Sequence, residues 1–256
     1  MYRFFVDPED ISEDEIIIRG EDVNHIRNVL RMKPGENVRL CTGEDSVEYR
    51  CEILSLDPQQ IRTKILLAEE TGAELPSRLV LFQGLPKSDK LELVIQKAVE
   101  LGVYEVVPVE TARSIVKLDA KKREARLKRW NAISESAAKQ SKRLIIPRVH
   151  PLMTFDEALD YAESLDVKLI PYENAADMNH TREVLGAVRP GQSVGIFIGP
   201  EGGLEEEEVA RAAARGASAI TLGRRILRTE TAGVAVLAAL MFALEGRSEE
   251  TDGSIL

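Results

Sequence analysis

Two short stretches of this chain combine residue types that could do chemistry. The first is Gly199-Pro200-Glu201-Gly202-Gly203, directly after the apolar run Val194–Ile198. Three glycines in five residues let a backbone approach a ligand closely. Phosphate suits the loop poorly: Glu201 lies within it, Glu205–Glu208 follow, and no P-loop lysine is present. A neutral or cationic ligand suits it better, and a ligand-free turn would carry the same glycines. The second stretch is Leu222-Gly223-Arg224-Arg225-Ile226-Leu227-Arg228-Thr229-Glu230-Thr231-Ala232, after the run Ala219–Leu222. It offers a cation suited to charge stabilisation, Arg228, which could equally form a salt bridge to Glu230 or a helix-terminus contact.

The elements that must hold these loops read as alternating strands and helices. Leu79–Gln83, Tyr104–Val109, Val167–Tyr172, Val194–Ile198 and Ala219–Leu222 are strand candidates. Helices are expected from Ser88 as N-cap to Leu101, from Ala120 to Gln140, from Glu205 to Arg215, and from Thr229 as N-cap to Leu244. This pattern predicts an α/β domain with a mostly parallel sheet. Ligands in such sheets sit at the carboxyl ends of strands, where both loops lie. The last helix is apolar nearly all round, which predicts burial.

Residues 1–72 read differently. Short apolar runs such as Glu15–Arg19 and Val47–Ile53 alternate with turn signals at Pro34-Gly35 and Thr42–Asp45, around one helical segment at Asp22–Met32. This predicts a small β-barrel or β-rich domain. A linker at Thr71–Pro76, a second domain over 73–247 and a flexible acidic tail at 248–256 complete the division.

The chain has 256 residues, 44% apolar and 30% charged, with no run near the about 18 apolar residues of a membrane span. Its N-terminus lacks a signal-peptide core, which predicts a cytoplasmic protein. Two cysteines and three scattered histidines make no metal-site pattern. No GxGxxG follows the first strand of either domain and no GxSxG elbow occurs. The net charge of −9 is uneven. Arg113–Arg148 holds twelve Lys/Arg against three acids, a net +9, so the remainder carries −18. That basic segment is either a nucleic-acid footprint or a solvated helical face.

Together the two loops resemble the signature of the bacterial 16S ribosomal RNA uridine-N3 methyltransferases of the SPOUT superfamily. Further matching segments are His25-Ile26-x-x-Val29-Leu30-Arg31-Met32, Gly84-Leu85-Pro86-Lys87-x-Asp89-Lys90-Leu91-Glu92, Gln96-Lys97-x-x-Glu100-Leu101-Gly102, Arg113-Ser114-x-Val116-Lys117-Leu118 and Gln140-Ser141-x-Arg143-x-x-x-Pro147. The resemblance runs to about Gly246. Two departures are Lys139 and Lys142 around Gln140, and Arg224 where the family often has Pro.

The resemblance implies a PUA-like β-barrel followed by a SPOUT α/β domain with a C-terminal trefoil knot, acting as a homodimer through the methyltransferase domain. It implies S-adenosylmethionine as cofactor, no metal, and 16S ribosomal RNA in the small ribosomal subunit as partner. The cofactor would meet Gly199, Pro200, Glu201, Gly202, Gly203, Leu222, Gly223, Ile226, Leu227, Thr231 and Ala232. Pro171 and Tyr172, ending the third strand, either face the same pocket or are ordinary strand-end packing. Arg228 would stabilise the charge that develops on the uracil, with Glu230 or Thr231 orienting. His25, Arg27, Arg31 and Lys33 in the barrel, and Lys87, Lys90, Arg113, Lys117 and Arg143 beyond it, are candidate RNA phosphate contacts. The competing readings are a SPOUT enzyme for another RNA, a non-catalytic RNA-binding factor, and an enzyme using another nucleotide.

Overall fold

The computed structural model describes residues 1–70, 74–173, 175 and 177–245. The expected tail at 248–256 and the linker residues 71–73 lie outside these. The chain forms two compact units: Met1–Glu74 with Ala138–Ile146, and Leu75–Ala137 with the residues from Pro147 onward.

In the first unit, β1 (Arg3–Phe5), β2 (Glu15–Ile18), β3 (Asn37–Cys41), β4 (Val47–Leu56) and β5 (Ile61–Glu70) form one sheet in the order β1-β3-β4-β5-β2. Only the β1–β3 pair is parallel. Register shifts at Arg50/Cys51 and Ile53/Ser55 mark bulges that curl the β4–β5 ribbon. Strand alternation sends Ile16, Ile18, Val38, Leu40 and Ile53 inward, where they meet Phe4, Ile26 and Ile61 in one core. The helical segment differs from the expected Asp22–Met32. It is α1 (Glu21–Asn24) followed by a π-helical turn, His25–Val29, and it has ended by Arg31, whose φ is 54°.

Residues 138–146 return to this unit. Ile146 N–H donates to Gly43 O at 2.8 Å, and Arg3 Nη1 donates to Lys142 O at 2.6 Å. Arg143, expected to face RNA, is only 3% exposed and lies on Glu74. The Glu74 carboxylate also accepts from Leu144 N–H at 3.2 Å and Ile145 N–H at 3.3 Å. Arg143 is therefore a buried structural cation and not a phosphate contact: a guanidinium taken from water stays inside only when its charge and donors are matched.

The second unit holds an all-parallel sheet. Its strands are β6 (Arg78–Gly84), β7 (Glu105–Glu110), β8 (Arg148–Val149), β9 (Met153–Thr154), β10 (Val167–Pro171), β11 (Ser193–Ile198) and β12 (Ala217–Ile220). The order is β12-β10-β11-β6-β7-β8, with β9 also on β7. The helices are α2 (Lys90–Glu100), α3 (Ala120–Ser141), α4 (Phe155–Tyr161), α5 (Met178–Gly186), α6 (Glu206–Ala214) and α7 (Thr229–Leu244). The apolar strand runs are buried, with Phe82 and Phe197 stacked across β6 and β11 at 4.3 Å. Gly102 and Gly216, at φ of 86° and 82°, close α2 and α6 in the left-handed conformation that favours glycine.

Three boundaries differ from expectation. The last strand is Ala217–Ile220, so Thr221 and Leu222 already belong to the loop. Ser88 sits at φ 57° and does not cap α2, whose N-cap is Asp89. Arg228, not Thr229, is the N-cap of α7. The α7 helix is also less buried than its composition suggests. Val236, Leu237, Leu240 and Leu244 are buried, but Thr231 and Ala239 are exposed and Phe242 is 81% exposed. Among the described residues no helix is long and apolar enough to cross a membrane.

Candidate active site

Parallel strands place all their carboxyl ends on one edge, so the loops after β6, β7, β10, β11 and β12 gather there. Their close approach requires small residues. A Cβ on Gly84 would stand 2.6 Å from Pro200 N, and one on Gly199 would stand 2.7 Å from the Gly203 carbonyl carbon. Gly203 holds φ 72° and donates its N–H to Pro200 O at 2.9 Å, which closes the turn. The glutamates after it are partly structural. Glu205 and Glu208 form a capping box on α6, and buried Glu208 also accepts from Ala112 N–H at 2.9 Å, fixing the loop after β7.

These loops enclose two adjoining cavities of about 450 and about 420 Å³. They share Pro171, Tyr172, Ile226, Leu227 and Ala232 as walls. Gly199, Pro200, Glu201, Gly202, Gly203 and Arg228 line the first. Leu222 and Gly223 line only the second. Thr231, expected to touch the ligand, lies in neither wall and is exposed, because its helical position turns it away from Ala232. Ile226 lines both cavities while remaining 88% exposed, so a ligand there would gain apolar cover.

Lys90 and Arg113, expected to face RNA, both line the first cavity. Lys90 Nζ lies 2.9 Å from Glu201 Oε1 and 3.5 Å from Glu230 Oε2. It is thus held by two carboxylates and is not presented to phosphate. The hydrogen bond that Lys90 donates to Glu201 raises the Lys90 pKa. Burial alone would raise the Glu201 carboxyl, but Lys90 Nζ and the Lys87 N–H, 3.1 Å away, prevail and lower it. Arg113 Nη1 donates to Gly202 O at 2.8 Å and its Nε stands 3.8 Å from Glu205. Arg228 has no side-chain hydrogen bond or ion pair among the described residues, so the alternative Arg228–Glu230 pair does not form. One oxygen of Glu230, Oε2, is buried without a hydrogen-bond partner.

Other residues of the site were not among the expected contacts. Glu173 lines both cavities, Ile198 and Leu204 the first, and Thr221 and Arg225 the second, Arg225 alone of these lying within a motif. Gln83 lines neither but bonds to Thr229 in the wall of the first, and its one visible signal was a polar residue after the apolar run Leu79–Phe82. Of the remaining RNA candidates, His25, Arg31, Lys33, Lys87 and Lys117 are exposed and Arg27 is half-buried. The arrangement can hold a ligand that carries a cation, a carboxylate and a flat apolar ring, beside one uncommitted guanidinium.

Residues 73–241 match the family model described as an RNA methyltransferase domain, and residues 18–66 match the one described as an RNA methyltransferase PUA domain. The ribosomal RNA small subunit methyltransferase E of Bacillus subtilis is 36% identical, covering 96% of this chain and 98% of its own. That of Mesomycoplasma hyopneumoniae is 34% identical over 93% of this chain and 97% of its own. A crystal structure of the Neisseria gonorrhoeae methyltransferase E bound to S-adenosylmethionine superposes with a TM-score of 0.78 at 37% identity, covering 94% of this chain and 96% of that one. The chain belongs to the RNA methyltransferase family that includes the ribosomal RNA small subunit methyltransferases E.

Proposed function

We propose that this protein is an S-adenosylmethionine-dependent methyltransferase that modifies N3 of one uridine in 16S ribosomal RNA of the small ribosomal subunit. The observation that carries the reading is the meeting of the 199–203 loop, the 221–228 loop and the end of β10 around two adjoining cavities. Their volumes lie in the range of small-molecule sites, about 300–1,000 Å³. The residues fit the cofactor. Glu173 suits its cationic groups, Arg113 suits a carboxylate, and Ile198, Leu204 and Leu227 offer apolar surface to adenine.

When bound, the cofactor supplies a methyl carbon made electrophilic by its sulfonium. The chain's own work is positioning and electrostatics. As the N3 proton leaves to solvent and the methyl group arrives, Arg228 stabilises the negative charge that develops over uracil N3 and its flanking carbonyls. Glu230, its carboxylate facing Lys90, orients groups at the same mouth. N3 lies on the Watson–Crick edge, so the target base must be unpaired or flipped to reach it. His25, Arg27, Arg31 and Lys33 in one unit, and Lys87 and Lys117 in the other, take the RNA backbone.

The fold reading extends to a C-terminal trefoil knot. A homodimer through the methyltransferase domain would cover the apolar stripe that α7 leaves exposed at Ala239 and Phe242. The enzyme is cytoplasmic, where its substrate is assembled. The test is transfer of a labelled methyl group to small subunits, free 16S RNA and transfer RNA, followed by nucleoside analysis. Label recovered as 3-methyluridine from the small subunit supports the reading. Label confined to transfer RNA, or on another atom, overturns the substrate assignment.

A further inference from the structure

Gln83 is the penultimate residue of β6, fully buried after the apolar run Leu79–Phe82. Its Nε2 donates to Gly84 O at 3.1 Å and to Thr229 Oγ1 at 2.8 Å. Gly84 O can only accept, which fixes the amide's orientation and leaves Oε1 buried without a partner. Thr229 Oγ1, already receiving an N–H, spends its own hydrogen on Gly199 O at 2.6 Å. The direction of this relay is therefore set: Gln83 to Thr229 to Gly199. It joins the end of β6, the first turn of α7 and the first residue of the glycine loop.

We infer that Gln83 is a positioning residue that sets the geometry of the cofactor site through Thr229, an inference that rests on the proposed cofactor. Three observations point the same way. An orphaned buried acceptor costs stability, and an apolar residue of similar size would not carry that cost. A group kept at such a cost belongs where function and stability conflict. The one long-range partner of its side chain among the described residues, Thr229, stands beside Arg228 and Glu230, and the hydrogen bond of Thr229 ends on the cavity wall at Gly199. Gly84 and Gly199 flank the relay and admit no side chain, so the loop's position is tuned there and not by packing bulk.

The inference separates cofactor affinity from fold stability. Gln83→Leu removes the relay and the orphaned oxygen together. The full-length variant should melt at or above the wild-type temperature without ligand. Its affinity for S-adenosylmethionine, measured calorimetrically, should fall about tenfold, the scale of one lost hydrogen bond. The cofactor KM should rise in step while the RNA KM stays put. Thr229→Val should match Gln83→Leu, Thr229→Ser should restore most of the affinity, and the double variant Gln83→Leu/Thr229→Val should be no worse than either single one, because both cut the same relay. Wild-type affinity in Gln83→Leu, a lower melting temperature with affinity falling in proportion, or additive losses in the double variant would each overturn the inference. Wild-type protein that binds no cofactor at all, with or without small subunits, would overturn the cofactor reading beneath it as well.

Discussion

Arg228 and Lys90 stand at the same cavity with opposite circumstances. Lys90 is held by Glu201 and Glu230, whereas Arg228 has no side-chain partner among the described residues. A cation already matched by carboxylates has little charge left for a reacting base, so Arg228 is the residue to which the proposed catalytic role is given. Arg228→Ala should lower single-turnover methyl transfer by about 10²–10³, the cost of removing one preorganised donor, with cofactor affinity within twofold of wild type. Near-normal turnover would reassign Arg228 to a helix terminus. The Lys90–Glu201 pair makes a pH prediction. The Glu201 pKa is lowered, so the pair is intact above the ordinary carboxylate value and is lost only as pH falls through the lowered one. Cofactor affinity should stay flat from neutral pH to about 4.3 and fall below it. Glu201→Gln should be weaker at neutral pH and should lack that acid limb.

The elements that hold these side chains were partly legible in the sequence. The strands of the second unit are apolar runs between turn signals, and their burial on both faces made them readable. The last one was set two residues late because Thr221 and Leu222 continue a β-like pattern after hydrogen bonding with β10 has ended at Ile220. The π turn at His25–Val29 leaves no mark in a 3.6-residue periodicity. The composition of α7 hid which face is covered, because a helix apolar all round has no stripe to read. The glycine loop was legible as a close approach, though not its partner: only the structure brings Gly84 onto Pro200. Gly199→Val should abolish cofactor binding in calorimetry, since its first side-chain carbon would already stand 2.7 Å from the Gly203 backbone. Retained binding would mean that the loop yields without loss.

At the scale of the whole molecule, residues 138–146 group with the first unit although the sequence places them deep in the second. No composition shift announces this, because the links are single contacts distant in sequence: Arg143 on Glu74, 69 residues apart, Ile146 on Gly43 and Lys142 on Arg3. The Arg143–Glu74 pair explains why counting Arg143 within the basic segment misled: charge tallies do not distinguish a solvated cation from a matched one. The motifs, by contrast, located both loops that wall the cavities, because glycine spacing and the order of strand, loop and helix are properties of the chain itself. The exposed apolar residues of α7 carry the assembly prediction. Phe242→Glu should shift the protein from dimer to monomer in sedimentation at micromolar concentration, and a wild-type monomer would remove the dimer from the account.

The central claim is that the two adjoining cavities form an S-adenosylmethionine site. Calorimetric titration of the full-length protein with that compound, alone and with small ribosomal subunits present, tests it most directly. The account predicts one saturable site per chain that Gly199→Val removes. Absence of saturable binding under both conditions, or binding untouched by Gly199→Val, would contradict it.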